Sequence, residues 1–195
     1  MKLKIPKLRT CTQRAFTIIE LLLVLTLVVV LAGVALPNFG EGLARQQGLA
    51  RIETLARTLA LARSTAVSTG SWVTVCPSAN GLSCNNAWEQ GILVFADRDG
   101  NRQYNDNDTI VLYRNSDSAA GSMRLRAFPN NQSLQYTPEG FTRGQSGNFT
   151  WCPSGGDARQ IRQLIFTRSG RLRVARDSNA DGYREGADGK PLVCD

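Results

Sequence analysis

Phe16 to Leu36 is a run of 21 residues with one charge, Glu20. As a helix rising ~1.5 Å per residue it spans roughly 30 Å, the thickness of one bilayer hydrocarbon core. A helix that is apolar on every side must leave water, so the run limits the chain to an anchored or assembled protein. Ahead of it, Met1 to Ala15 holds Lys2, Lys4, Lys7, Arg9 and Arg14 and no acid. Such a segment stays on the cytoplasmic side of a membrane. Glu20 is the anomaly, because a carboxylate inside an apolar span is costly and marks function.

Ala15-Phe16-Thr17-Ile18-Ile19-Glu20 resembles the class III signal sequence of type IV pilins and type II secretion pseudopilins. The resemblance implies that a prepilin peptidase cuts between Ala15 and Phe16 and methylates the new N-terminus. Ala15 stands where the family usually has Gly. Residues 1–15 would be a cleaved leader and 16–36 a transmembrane helix that later forms filament core. Pro37 becomes the twenty-second mature residue, where pilins often carry a helix-bending Pro. Residues 60–78, ALARSTAVSTGSWVTVCPS, resemble the GspH/FimT group of minor pilins and pseudopilins, at the point where the helix hands over to the first strand. Weaker likeness recurs at Trp88-Glu89-Gln90-Gly91, Asn148-Phe149-Thr150-Trp151-Cys152 and Ser169-Gly170-Arg171-Leu172-Arg173.

The formal charge of +7 belongs mostly to the leader; without its five cations the chain carries +2. Global basicity therefore gives no ground for a nucleic-acid partner, and only a local cluster can. Removing the leader also removes Cys11, which leaves Cys76, Cys84, Cys152 and Cys194. An even set in an exported domain reads as two disulfides. Cys76–Cys84 would close a short loop containing Pro77, Asn80 and Gly81, and Cys152–Cys194 would tie the C-terminus to a strand. The chain contains no histidine, which removes His triads and His metal sites. No carboxylate pair has an identifiable role, so the chain does not read as an enzyme.

Past Pro37, Leu49, Ile52, Leu55, Ala56, Leu59, Ala62 and Ala66 recur at helical spacing. This amphipathic stretch, 37–70, needs a surface to cover its stripe. Arg45, Arg51, Arg57 and Arg63 fall six apart, scatter around the helix and read as solvated. From Ser71 the pattern becomes one of short strands: 72–76, 91–96, 109–114, 123–128, 133–137, 148–152, 161–167 and 171–176. Met123, Leu125 and Ala127 alternate with Arg124 and Arg126, as in a half-buried strand. The expected fold is α+β: a long N-terminal helix, half membrane and half amphipathic, packed on a disulfide-bonded antiparallel β domain at 71–195, in two sheets.

Two kinds of local chemistry stand out. Asp177, Asn179, Asp181 and Asp188, with Gly182, match a twelve-residue calcium loop at positions 1, 3, 5, 12 and 6. Without the usual terminal Glu, calcium would be held weakly; otherwise the protein needs no cofactor. Asp97, Asp99, Asn101 and Asp108 match less well, with Arg102 in the glycine position, and read as turn formers. The other feature is basic. Residues 159–176 hold Arg159, Arg162, Arg168, Arg171, Arg173 and Arg176, with no acid between Asp157 and Asp177. A two-residue turn at Ser169-Gly170 would set Arg168 against Arg171 and Phe166 against Arg173, with Ile165, Thr167, Leu172 and Val174 on the other face. Gly170-Arg171-Leu172-Arg173 also resembles the G-R-x-R motif of FimT-type minor pilins, tied in that family to DNA capture in natural transformation.

The expectation is a minor type IV pilin that helps assemble a filament, with Glu20 as its assembly residue. Its partners would be the prepilin peptidase, other minor and major pilins, and the inner membrane before assembly. Arg168, Arg171, Arg173 and Arg176, assisted by Arg124 and Arg126, would contact double-stranded DNA without sequence preference. The globular domain would lie in the periplasm and then at the cell surface. The alternatives are a GspH-like type II secretion pseudopilin and a purely structural pilin.

Overall fold

A computed structural model of the chain describes residues 16–116 and 121–194, with the side chains of 34–41, 43 and 44 not among those described. The leader, and Ala15 with it, lies outside these residues. The chain divides into two compact units, Met1–Glu41 and Gly42–Asp195.

Helix α1, Ile18–Thr69, has 52 residues and begins in the first unit. Thr17 opens it: its Oγ1 accepts from Glu20 N at 3.3 Å and its carbonyl from Leu21 N at 3.2 Å. The hydroxyl thereby satisfies an amide that the first turn leaves free. The large apolar side chains described between Phe16 and Leu31 are exposed, Phe16 by 84 %. Among the described residues no helix is long and apolar enough to cross a membrane. The apolar run of the sequence continues into 34–36, whose side chains are not described.

In the second unit α1 buries Ile52, Leu55, Leu59, Ala62 and Ala66. Steps of three and four put them on one stripe, with Leu49 and Ala56 half-buried at its margins. Gly70 ends the helix in the left-handed region, φ 63°, and Ser71 N reaches back to Ala66 O at 3.3 Å. This is the six-to-one bond of a glycine C-cap.

Among the described residues eight strands follow, near the places that the short strand-like runs of the sequence predict. They are β1 Val73–Pro77, β2 Gly91–Ala96, β3 Thr109–Asn115, β4 Gly121–Phe128, β5 Leu134–Tyr136, β6 Ser146–Pro153, β7 Arg162–Phe166 and β8 Leu172–Val174. They form two antiparallel four-stranded sheets, ordered β3-β2-β1-β5 and β4-β6-β7-β8. The helix stripe shares one core with Val73, Val75, Val94, Leu134 and Tyr136 of the first sheet and Leu125, Phe149, Trp151, Leu164 and Phe166 of the second. Cys76 is bonded to Cys84 and Cys152 to Cys194.

Two of the four helix arginines depart from the solvated reading. Arg57 only pairs with Glu53, 3.3 Å away on the exposed surface. Arg51, however, reaches the Ser116 hydroxyl, and Arg63 Nη1 donates to Gly170 O at 3.1 Å. Arg63 thereby tethers the β7–β8 turn to the helix.

Candidate functional site

The second sheet has a core face and an outer face. Leu125, Phe149 and Leu164 pair across β4, β6 and β7 on the core side. One residue along, Arg126, Asn148, Ile165 and Arg173 stand in register across all four strands. Strand alternation puts that row on the outer face. Arg124, Thr150 and Gln163 form the next row. Beyond them the C-terminal segment from Gly186 to Cys194 borders a groove of about 360 Å³. Arg124, Arg126 and Arg173 are all exposed.

The hairpin that carries the basic motif is shifted by one residue from the expected register. Phe166 pairs with Leu172 and Ile165 with Arg173. Thr167 N donates to Arg171 O at 3.1 Å, and Gly170 N to Thr167 O at 2.9 Å. The turn therefore holds three residues, Arg168, Ser169 and Gly170, with only Gly170 left-handed, φ 75°. That is a three-residue hairpin loop rather than a two-residue one. A one-residue shift exchanges the faces. Phe166, Leu172 and Leu164 meet the core, whereas Ile165 lies beside Arg173 and packs with Ile161, Ala175 and Leu192. Arg168 and Arg171 do not oppose each other; Thr167 stands opposite Arg171.

The tip is held from below. Thr142 N donates to Arg168 O at 3.0 Å, in addition to the Arg63 bond. A Cβ on Gly170 would stand 2.6 Å from Gly140 O, so the close approach needs glycine. Arg168, Arg171 and Arg173 are exposed on this pinned scaffold and carry no ion pair among the described residues. Arg176 lies past the end of β8, and its carbonyl accepts from Glu185 N at 3.1 Å. It belongs to the base of the acidic loop.

Arg162 leaves the cluster altogether. It pairs with Trp151 on β6 and is 1 % exposed. Its Nη1 donates to the carbonyls of Arg159 and Ile161 at 3.0 Å. Burial first, then Arg184 and Arg45, push its guanidinium down to about 10. Its alternation with Leu164 and Phe166 was the available signal.

The two acidic loops differ in what their carboxylates already hold. Asp97 is fully buried; Oδ1 accepts from Asn101 N, and Oδ2 from Arg102 N, Thr74 Oγ1 and Gln135 Nε2. Asp108 accepts from Arg98 N and Asn105 N. These carboxylates organise their own turn. Asp97, Asp99 and Asp108 place carboxylate oxygens within 4.8 Å of one another, and in the other loop Asp177, Asp181 and Glu185 do the same. Asn179 donates to Asp181 Oδ2 at 2.9 Å. Asp188 is not in that group; its Oδ1 accepts from Lys190 N at 3.2 Å, in the next turn. Glu185 takes the place expected of Asp188, because the antiparallel bridge Arg176–Glu185 closes the loop early.

The chain belongs to the family described as Type II transport protein GspH, whose model matches residues 51–170. Its fold is similar to that of the type IV minor pilin FimU of Pseudomonas aeruginosa (strain PAO1). In one crystal form of FimU the likeness has a TM-score of 0.53 at 18 % identity, covering 68 % of this chain and 90 % of that one. In a second crystal form the values are 0.49, 17 %, 67 % and 92 %. No curated protein matches the chain.

Proposed function

We propose that the chain is a minor type IV pilin, cut between Ala15 and Phe16, methylated on Phe16 and assembled through the apolar half of α1. The observation that carries this reading is the exposure of that half from Phe16 to Leu31. So much apolar surface needs a non-aqueous neighbour. Inner-membrane lipid supplies it first, with the globular unit in the periplasm, and the helices of other pilins supply it afterwards. Glu20 is the one charge in the stretch. Cleavage creates a cationic amine on Phe16, and the Glu20 carboxylate of a neighbouring subunit is its natural partner. The test is mass spectrometry of the mature N-terminus together with the content of sheared pili. A chain that retains Met1, or Glu20→Ala incorporated as well as the parent, overturns the reading.

A type II secretion pseudopilin is the second reading, favoured by the family description. The two separate on deletion of the gene: lost pili support the first reading, and lost secretion with intact pili supports the second.

The exposed Arg168, Arg171 and Arg173 on a pinned hairpin support a further role in contacting the DNA backbone. Phosphate contacts position a protein without reading sequence, so such binding is non-specific and salt-dependent. A gel shift of the purified chain with unrelated duplexes tests this role.

A further inference from the structure

Glu185 is 8 % exposed, so its carboxylate is removed from water. One oxygen, Oε2, accepts from Ser178 N at 2.8 Å and from Ser178 Oγ at 2.7 Å. The other, Oε1, is buried and has no hydrogen-bond partner. An ionised oxygen left in that state costs free energy unless something cationic meets it. The nearby arginines do not supply it. Among the described residues neither Arg184 nor Arg176 forms an ion pair with Glu185; Arg184 sends Nη1 to the Arg159 carbonyl at 3.0 Å and senses the charge of Asp177 instead. The groups that do face Glu185 are two more carboxylates, Asp177 and Asp181, within 4.8 Å. Three acids converge with one buried oxygen unclaimed. The contrast with the Asp97 loop rests on Glu185 Oε1. Both Asp97 oxygens are claimed by donors, and so are both Asp181 oxygens, by Asn179 Nδ2 and Tyr183 N, whereas Glu185 Oε1 is buried and unclaimed.

From this geometry we infer that the loop Asp177–Glu185 is a calcium site, with Asp177, Asn179, Asp181 and Glu185 as side-chain ligands. Calcium is the divalent ion whose chemistry fits. It takes six to eight oxygens in flexible geometry, and this set has no nitrogen or sulfur. The spacing D-x-N-x-D-G-x-x-E supplies oxygens at positions 1, 3, 5 and 9 of the loop, and the position-7 carbonyl is that of Tyr183. Gly182 holds position 6 with φ 91°, and its N–H donates to Asp177 Oδ2 at 2.9 Å. On binding, the Asn179 amide turns its oxygen inward and gives up the Nδ2 bond to Asp181. The metal satisfies Glu185 Oε1 and offsets the mutual repulsion of three acids. Affinity in the extracellular range, ~10⁻⁴–10⁻³ M, follows from an exposed site with three carboxylates. This assignment is independent of the assembly and DNA readings.

The test is titration of the EDTA-stripped full chain in detergent with calcium chloride, followed by melting temperature and by calorimetry. Calcium is expected to raise the melting temperature. Glu185→Gln is expected to weaken binding at least ~10-fold, a loss typical even of an outer-shell partner. Asp181→Asn, at an exposed position, does the same and serves where Glu185→Gln fails to fold. Asp188→Asn is expected to bind as the parent does. Absence of any calcium effect at about 10 mM, well above the weak end of the expected range, overturns the inference. So does parental affinity in Glu185→Gln and Asp181→Asn, or loss of binding in Asp188→Asn alone.

Discussion

Gly48 lies directly against Trp151. A Cβ on Gly48 would stand 2.6 Å from Trp151 Cζ3 and 2.9 Å from Cε3, with Arg162 Cγ at 3.3 Å. The indole is rigid and 2 % exposed, so it cannot swing aside as the end of a flexible chain would. Gly48 therefore lets α1 approach β6. Gly48→Ala gains ~1 kcal/mol of helix propensity and incurs ~1–3 kcal/mol of overpacking. A net loss of about 1 kcal/mol is expected in urea unfolding, and a larger one for Gly48→Val. An unchanged midpoint for both would show that the helix can simply move away.

Asp97→Ala removes the acceptor shared by Asn101 N, Arg102 N, Thr74 and Gln135. Buried donors left without a partner cost ~1–3 kcal/mol each, so a loss of several kcal/mol is expected. The loss should be the same with calcium or with EDTA, since Asp97 is fully buried and its role is to accept these four bonds. A calcium-dependent loss would identify that loop as a metal site.

Tyr136 carries a pH signature. Its hydroxyl is buried without a partner, and burial raises its pKa well above the ordinary tyrosine range, against a small opposing effect of Arg63. Unfolded, the phenol ionises near ~10. Below that value both states keep the proton and its stability contribution is complete. As pH rises further toward the folded value, the unfolded state releases the proton first and stability falls. Tyr136→Phe is expected to be neutral or slightly stabilising at pH 7 and to lose less stability near pH 11. Parallel urea titrations at the two pH values decide it; equal losses in both proteins contradict the burial argument.

Replacing Arg171 and Arg173 together by Gln should abolish most DNA binding and leave the melting temperature unchanged, because both are exposed at the pinned tip. Three phosphate contacts, including Arg168, imply a log–log salt slope of about −2.7, falling to about −0.9 in the double variant. Gel shifts at several salt concentrations give the slope. Equal binding by the double variant would return these arginines to a solvated surface.

Most strands were legible as short apolar and β-branched runs bounded by turn residues, since β1, β2, β5 and β7 are buried almost throughout. β4 alone was legible by alternation, Met123, Leu125 and Ala127 against Arg124 and Arg126. The helix stripe was legible for the same reason at period 3.6. What was not legible depended on single residues. A two-residue turn at Ser169-Gly170 needs both residues left-handed, whereas the three-residue turn Arg168–Gly170 needs only Gly170 so, and Ser-Gly leaves that choice open. Its register then decided which face Arg173 shares. Arg162 was counted by charge, although its spacing from Leu164 and Phe166 marked the core side. Glu185 was hidden by a twelve-residue template. Only the bridge to Arg176 shows that the loop closes at position 9.

The Cys152–Cys194 bond joins residues 42 apart in sequence. It closes a covalent ring that contains β7, β8, the arginine tip and the acidic loop. Exposed tips of this kind are where proteases cut first. A cut inside the ring breaks the backbone without making a second molecule, since both new ends remain joined through sulfur. A nicked chain would run as one species until reduced, and as two afterwards. Damage to these two loops can therefore accumulate on the protein without shedding any part of it.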